Sequence, residues 1–283
     1  MRVKGILCGK GLRRSRGARL EINRCENLGV VRPDYSLIAR MIASTLCQTG
    51  AEFPCPYVPG RAARFSGFDC DRPLPEGLYD SLMQVNFRRN GSVVYRPDCQ
   101  GCADCRMIRI PVGGFELNRA QRRCLKRNQD VIPTLEPARP TDEKHRLYQR
   151  YLGARHASAS PDEDAMDGSR EEFESFLYSS CVTTEDVVFR DSSGKLLAVS
   201  VVDREPRSLS AVYCYFDPEE SIRRSLGTFN ILALVEEAQR RGLDYVYLGY
   251  WLGDSKKMSY KAAFRPAEVW SPMLGFVPPE RNP

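Results

Sequence analysis

Three cysteines at intervals of three residues constrain the fold of this chain more than any other feature. Cys99, Cys102 and Cys105 are close enough in sequence for successive thiolates to turn toward one ion. Cys55 can supply a fourth ligand and so close a tetrahedral site. Such a set of thiolates suits a structural zinc ion or an iron–sulfur cluster. The sequence therefore predicts a loop stabilised by a bound metal ion or cluster, and the identity of the metal stays open.

A strongly basic helix is predicted soon after this cysteine segment. Asn118 is of a residue type that caps helix N-termini, and the cations after it recur at intervals of three and four residues. These intervals place the charges on one helix face, where they repel one another unless they meet an anionic partner. An ordinary solvated face is the alternative. The candidates for binding phosphate are Arg119, Arg122, Arg123, Lys126 and Arg127.

The bulk composition limits the class of protein. The 283 residues, 42% of them apolar, suffice for one large domain or two ordinary ones. Eleven cysteines are too sparse for a disulfide scaffold and odd in number, which favours the reducing cytoplasm. No run approaches the roughly 18–20 apolar residues of a membrane span, so no membrane partner is expected.

The start of the chain is basic. Its first 20 residues carry seven basic groups and no acidic one, which contributes to the net charge of +6. This segment lacks the apolar core of a secretory signal. An unstructured basic extension over residues 1–35 or an upstream start site is the preferred interpretation, with an organelle transit segment as the alternative.

The order of predicted elements indicates an α+β fold in two parts. Residues 36–135 have the pattern of a cysteine-rich α/β region, and prolines within 133–140 indicate a linker or domain edge. The second part, residues 140–268, has the element order of small acyltransferases of the GNAT (acyl-CoA N-acyltransferase-like) type. Residues 269–283 form a tail. In the second part we expect helices at 142–154, 169–179 and 228–241 and strands at 186–190, 196–203, 208–216 and 245–248.

Two further places suit anions. Arg88 and Arg89 precede an Asn-Gly turn, and their planar guanidinium groups suit carboxylate or phosphate, with a structural ion pair as the alternative. Leu226 and Gly227 open a predicted helix. Backbone amides at a helix start can bind phosphate or stabilise an oxyanion, although many helices begin in this way without binding anything.

Residues 249–261 combine aromatic side chains with lysines. Such a pattern suits stacking on bases beside phosphate contacts, while packing of the rings in the core is the alternative. The chain has only two histidines and no Ser-His-Asp pattern, which argues against histidine-based nucleophilic catalysis.

Eight segments form a specific pattern when they are taken together. They are residues 54–61, 87–91, 95–105, 118–123, 151–156, 213–218, 225–227 and 247–261. This set resembles the arginyl-tRNA–protein transferase family, and in particular its bacterial branch, the aspartate/glutamate leucyltransferases. Asn90 stands where that family more often has serine, and Cys214 interrupts an aromatic run.

The resemblance implies the reaction. An aminoacyl-tRNA would donate leucine, or less readily arginine, to the α-amine of a protein that begins with Asp or Glu. That protein would thereby enter the N-degron (N-end rule) degradation pathway. Charged tRNA and acceptor proteins are then the partners. No cofactor is needed for the chemistry because the ester is already activated, and the sequence contains no GxxxxGK[ST] phosphate-binding loop.

The resemblance also implies roles for the candidate residues. Arg88 and Arg89 would bind the acceptor's side-chain carboxylate, and the helix at 119–127 would bind tRNA. The candidates for handling protons or framing the aminoacyl group are Asp217, Tyr250, Ser255, Tyr260 and Lys261. Two other functions stay open, namely a CoA-dependent acetyltransferase and a non-catalytic, zinc-stabilised RNA-binding protein.

Overall fold

The computed structural model describes residues 34–156, 166–255 and 257–280. The predicted basic extension over residues 1–35 lies almost entirely outside these residues. Within them, no helix is both long enough and apolar enough to cross a membrane.

The described elements are seven α-helices and fourteen strands. The helices are α1 (Ser36–Met41), α2 (Leu78–Met83), α3 (Arg119–Arg127), α4 (Asp142–His156), α5 (Arg170–Phe173), α6 (Pro218–Arg224) and α7 (Leu226–Arg240), with π-helical turns at Ile42–Leu46 and Glu174–Tyr178 and 3₁₀ turns at Val112–Gly114 and Ser259–Ala263. The strands are β1 (Gln48–Thr49), β2 (Phe53–Pro54), β3 (Ala62–Ala63), β4 (Phe65–Asp69), β5 (Arg88–Asn90), β6 (Val93–Pro97), β7 (Arg106–Pro111), β8 (Ile132–Pro137), β9 (Thr184–Arg190), β10 (Leu196–Arg204), β11 (Ser208–Phe216), β12 (Tyr245–Trp251), β13 (Glu268–Ser271) and β14 (Gly275–Val277).

An eight-stranded sheet forms the centre of the fold, with the strand order β14-β13-β7-β12-β11-β10-β9-β8. Every neighbouring pair is antiparallel except β11 and β12, which run parallel and are joined through α6 and α7. Parallel strands need such a crossover because a tight hairpin cannot connect them. A second sheet, with the order β1-β4-β6-β5, lies in the N-terminal part.

Alternate residues of the large sheet contribute to separate hydrophobic clusters. Val187 and Phe189 of β9 pack in the cluster that contains α7, while Val188 between them packs in the cluster that contains α4. Successive strand residues point to opposite faces, so helices cover both faces of the sheet. A third cluster joins α2 and the small sheet to β7 and β12.

The elements with strong local periodicity are confirmed. The helix expected at 142–154 spans Asp142–His156, the helix expected at 228–241 spans Leu226–Arg240, and the four strands expected in the second part are all present. Asn118 caps α3 in a capping box, because its side chain accepts from the Gln121 amide while the Gln121 side chain accepts from the Asn118 amide. The helix expected at 169–179 is instead a short α-helix followed by a π-helical turn.

The interpretation of residues 133–140 as a linker is wrong for most of that segment. Residues Ile132–Pro137 form β8, which pairs with β9 alone and so forms one edge of the large sheet. An edge strand tolerates Pro133 and Pro137 because its outer side needs no ladder hydrogen bonds. The residues expected as a tail also carry structure, since β14 pairs with β13 at the opposite edge.

Candidate functional site

The parallel strands β11 and β12 at the centre of the large sheet are paired over only part of their length. β11 and β12 pair only from Ser208 to Ser210 and from Tyr245 to Tyr247. Beyond this point β11 carries an extra residue at Val212, and the pairing of β12 with β7 shifts between Tyr247 and Tyr250. Bulges bend a strand and leave backbone groups outside the ladder. The two strands therefore diverge into an opening with irregular backbone on both sides.

Arg88 reaches into this opening from β5. Its Nη2 donates to the carbonyl of Val212 at 3.1 Å, and its guanidinium carbon lies 5.7 Å from the centre of the Tyr250 ring. A Cβ at Gly249 would lie 3.0 Å from Nη1, so glycine permits this approach. Arg88 forms no ion pair with a carboxylate of another described residue. A partly buried guanidinium without a counter-ion is suited to a negative charge that arrives with a substrate or develops during a reaction.

Lys261 reaches β12 at the same opening. Its Nζ donates to the carbonyl of Tyr250 at 2.6 Å from the 3₁₀ turn Ser259–Ala263. Burial, together with the positive charge of Arg88, lowers the pKa of Lys261 to about 7. Near neutral pH much of this amine is uncharged and able to accept a proton.

Tyr250 positions both of these side chains. Its hydroxyl lies 3.1 Å from the carbonyl of Asn86 and 3.2 Å from that of Tyr95, and burial raises its pKa well above the ordinary value. The phenol is thus kept protonated and hydrogen-bonded to the backbone. Tyr250 contributes its ring to Arg88 and its carbonyl to Lys261, rather than a titrating oxygen.

Arg89 does not have the role expected of it. Its guanidinium binds both carboxylate oxygens of Asp203, at 2.7 and 2.6 Å, and neither side chain has any exposed surface. Further donations go to the carbonyl of Gly91 and the hydroxyl of Thr184. The prediction that Arg89 binds an acceptor carboxylate is wrong, because this arginine is already paired inside the protein.

Asp217 lies away from the opening. It caps α6 by accepting from the amides of Glu219 and Glu220, both at 3.1 Å, and its carboxylate pairs with Lys195 at 3.2 Å. It lies five positions after Val212 in the chain, or roughly 16 Å along an extended strand. The structure gives Asp217 a capping role and does not bring it together with Arg88 and Lys261.

Ser255 and Tyr260 belong to the segment that follows β12. The carbonyl of Ser255 accepts from the amides of Met258 and Ser259, so it shapes the turn. Tyr260 is half exposed, at 49%. Ser255 also lines a cavity of about 610 Å³ that lies beside the opening.

The basic helix and the start of α7 are brought together. Gln121 and Cys124 are buried, and Arg127 donates to the hydroxyl of Ser225, the residue that precedes Leu226. The five predicted phosphate-binding side chains are exposed, and none forms an ion pair with another described residue. A Cβ at Gly227 would lie 3.7 Å from the Phe216 ring, an ordinary contact, so this glycine is not required for a close approach.

The four predicted metal ligands are neighbours in one region. The Cys99 thiol accepts from the Arg64 amide, and the pKa of Cys105 is raised to about 12 by burial and then by Cys55, Cys99 and Cys102. Among the described residues, no group of three or more His, Cys, Asp or Glu side chains is arranged to hold an ion. The donor set suits a soft metal, whose charge would favour the thiolates, and the site stays a prediction.

Two residues beside the opening, Tyr57 and Arg106, were not identified from the sequence as functional candidates. They line the cavity that Ser255 shares, together with Trp251 of the aromatic segment 249–261. Tyr57 follows directly on Cys55 and Pro56, in one of the segments that resemble the family. Its place in that segment was the sequence feature that could have identified it as a candidate. No sequence feature identified Arg106 as a candidate, because a single arginine at the start of a strand is common.

The sequence matches known protein families over most of its length. Family models described as "Arginine-tRNA-protein transferase, N terminus" and "Arginine-tRNA-protein transferase, C terminus" match residues 53–123 and 143–271. They define the class as a tRNA-dependent transferase that acts on proteins. An aspartate/glutamate leucyltransferase of Thiobacillus denitrificans is 41% identical over 77% of this chain and 88% of that protein. One of Nitrosococcus oceani is 43% identical over 77% and 89%.

The chain therefore belongs to the arginine-tRNA-protein transferase family and is a transferase. Two solved structures show a weak likeness to this fold. FemX is 8% identical with a TM-score of 0.41, covering 81% of this chain and 85% of that one. L-PGS from Bacillus licheniformis is 11% identical with a TM-score of 0.39, covering 52% and 45%.

Proposed function

We propose that this protein transfers leucine from leucyl-tRNA to the α-amine of polypeptides that begin with Asp or Glu. Family membership supports this reaction, as do relatives named aspartate/glutamate leucyltransferase. The observation in the structure that carries the proposal is that Arg88 and Lys261 both reach the opening between β11 and β12, where burial lowers the pKa of Lys261 to about 7.

The chemistry needs positioning, a base and stabilisation of charge. The α-amine nitrogen of the acceptor attacks the ester carbonyl of the aminoacyl-tRNA and loses a proton to Nζ of Lys261. The guanidinium of Arg88 stabilises the oxyanion of the tetrahedral intermediate. The carbon–oxygen ester bond then breaks, and the ribose hydroxyl regains a proton from the Lys261 ammonium. An amine with a reference pKa of about 7.7–8 needs only modest help from a base.

This role for Arg88 differs from the one inferred from the sequence. Arg88 was expected to bind the acceptor's side-chain carboxylate. Its guanidinium is instead enclosed by the Val212 carbonyl, the Tyr250 ring and the backbone at Gly249, which leaves little room for a second chain. Stabilising an oxygen atom at the opening requires less space than holding a side chain there.

The transferred side chain has an apolar environment available. Tyr213 follows the bulge at Val212, and its ring centre lies 5.3 Å from that of Phe176 and 6.2 Å from that of Tyr151. Aromatic rings suit a leucyl side chain by area burial, whereas an arginyl side chain would need a carboxylate. This wall beside the opening supports leucine as the transferred residue.

The tRNA would bind across the exposed face of α3. That face carries cations without carboxylate partners among the described residues, and α3 contacts α7, whose start follows β11 and α6. Charged tRNA is a cytoplasmic molecule, so we place the protein in the cytoplasm. No cofactor takes part in the chemistry that we propose. A structural zinc ion or iron–sulfur cluster held by Cys55, Cys99, Cys102 and Cys105 would support the loop between β6 and β7.

We further infer that residues 140–268 form a GNAT-like region preceded by an N-terminal region, residues 36–135. The succession of β9, β10 and β11, then α7, then the parallel β12 supports this inference. The N-terminal region nevertheless contributes β7 to the same sheet, where it lies between β12 and β13. The two regions would thus share a sheet.

Transfer of labelled leucine tests the proposed function. Purified protein is incubated with [¹⁴C]leucyl-tRNA and peptides that differ only in an N-terminal Asp, Glu or Ala. Label should pass to the Asp and Glu peptides and should disappear after ribonuclease treatment of the tRNA. Arginyl-tRNA and acetyl-CoA are the competing donors. Label from acetyl-CoA alone would establish an acetyltransferase, and RNA binding without any transfer would establish a binding protein.

A further inference from the structure

A cavity of about 610 Å³ lies beside the opening between β11 and β12. Three segments form most of it, namely the one after Cys55, the loop that ends at Arg106, and the one from Trp251 to Ser255. Pro272 and Glu280 complete the lining. The reaction described above assigns no role to this cavity, although Trp251 is the next residue after Tyr250.

Arg106 is the cation in this cavity without a carboxylate partner among the described residues. Its guanidinium carbon lies 5.5 Å from the centre of the Trp251 ring, within the range of a cation–π contact. The other arginine of the lining, Arg61, already pairs with Asp104 at 3.2 Å. A planar guanidinium held by an aromatic ring and free of internal counter-ions suits a carboxylate on a ligand.

Two aromatic side chains line the same cavity beside Arg106. Trp251 is 6% exposed, and its Nε1–H has no hydrogen-bond partner in the part of the chain that the structure describes. Tyr57 contributes its phenol ring to the same lining. The indole nitrogen has almost no accessible surface itself, so Trp251 offers the cavity its ring and not this donor.

The lining carries both signs of charge. Asp254 and Glu280 contribute carboxylates to it, in addition to the arginines. A ligand that bears an ammonium and a carboxylate close together matches such a lining better than a phosphate does, since acidic side chains repel phosphate. The N-terminal residue of a polypeptide beginning with Asp or Glu has this combination of charges.

The cavity adjoins the proposed reaction centre through Trp251. This residue lines the cavity and directly follows Tyr250, whose ring contacts Arg88. The carbonyl of Tyr250, next to Trp251, binds Nζ of Lys261. An α-amine held in the cavity would therefore lie near the base that we assign to the reaction.

We infer that this cavity receives the N-terminal residue of the acceptor polypeptide, and that Arg106 determines specificity by binding its side-chain carboxylate. The inference rests on the proposed leucyl transfer and adds the acceptor subsite to it. Arg106 replaces Arg88 and Arg89 as the group that distinguishes acidic from neutral N-termini.

The test compares acceptor preference in the full-length wild-type protein and in Arg106→Gln. Steady-state transfer of leucine is measured with peptides that begin with Asp or with the uncharged, nearly isosteric Asn. In Arg106→Gln we expect kcat/KM for the Asp peptide to fall about 10- to 100-fold through KM, with the Asn peptide little changed. Arg106→Glu should favour a Lys peptide over the Asp peptide. Arg72→Gln, an exposed arginine outside the cavity, is the matched control.

The outcomes separate this inference from the proposed function. Wild-type protein that transfers no leucine to any peptide would remove both. Wild-type transfer with an unchanged preference for Asp over Asn in Arg106→Gln would overturn the inference alone. An equal loss for both peptides would also overturn it, because Arg106 would then act on folding or on the reaction in general. Arg106→Lys, which keeps the charge, should retain part of the preference for Asp.

Discussion

Neighbouring arginines in β5 have unlike environments because successive strand residues point to opposite sides. Arg89 points into the protein and meets Asp203, whereas Arg88 points into the opening between β11 and β12. A buried guanidinium–carboxylate pair loses its hydration and is stable only while both partners are present. Arg89 therefore acts on stability, and Arg88 remains available for chemistry.

Arg89→Ala should destabilise the protein strongly. The substitution leaves Asp203 buried without a counter-ion, and removing one member of such a pair costs about 3–5 kcal/mol of unfolding free energy. Chemical denaturation followed by circular dichroism gives the change. Arg88→Ala is the matched control, and its loss should be smaller because no carboxylate of the described residues depends on it. Equal losses for the two variants would contradict the assignment.

The sequence indicated a hairpin and two anion-binding arginines at this place, and the hairpin is present. It did not indicate which arginine is internal. β5 has only three residues, too few for an alternation of polar and apolar side chains to show its buried face. The partner, Asp203, is 114 residues away in the chain. A pairing of such range depends on the tertiary fold, which local patterns do not encode.

At the scale of elements, α3 is the one whose structure and chemistry follow most directly from its sequence. A capping box begins it, Gln121 and Cys124 face inward, and its cations face outward at the predicted spacing. All of these features involve residues three or four apart. The edge strand β8 is the opposite case, because its prolines suggested a linker and only the neighbouring β9 makes it a strand.

Neutralising the exposed face of α3 should weaken tRNA binding and reduce its dependence on salt. Each phosphate contact that is lost lowers the slope of log K against log salt by about 0.7–0.9. The double variant Arg122→Gln/Arg123→Gln should thus lower the slope by the amount that corresponds to up to about two lost phosphate contacts. Fluorescence anisotropy with labelled tRNA at several salt concentrations measures it. Arg146→Gln, an exposed arginine on α4, provides the control, and an unchanged slope in the double variant would refute the assignment.

At the scale of the whole molecule, buried acids hold the N-terminal region against the large sheet. Glu205, between β10 and β11, accepts from the amide of Gly77 at 2.9 Å. Asp80 of α2 accepts from the amide of Arg207 at 2.8 Å and from the hydroxyl of Ser208. No local pattern in the sequence predicted this contact, since more than 120 residues separate the partners.

The free energy of unfolding should fall as pH rises through about 8. Burial and the neighbouring Asp80 raise the pKa of Glu205 from 4.5 to about 8. A raised folded-state pKa gives stability that is fully present below 4.5 and lost as pH rises through the folded value. Urea unfolding at pH 5.5 and 8.5 gives the change in unfolding free energy with pH for wild type and for Glu205→Gln. Subtracting the change in the variant from the change in wild type removes the contribution of Lys261, which both proteins share. The same pH dependence in both proteins would contradict the proposed origin.

The central claim is that a neutral Lys261 beside Arg88 serves as the base for leucyl transfer. Its most direct test is the single-turnover rate with [¹⁴C]leucyl-tRNA and an Asp peptide, measured from pH 5.5 to 9 in wild type, Lys261→Met and Lys261→Arg. Loss of a positioned general base lowers a rate by about 10²–10⁴-fold. Because Lys261 is protonated below its pKa of about 7, the ratio of wild-type to variant rates should rise with pH through that value. A ratio near one at every pH would contradict the account.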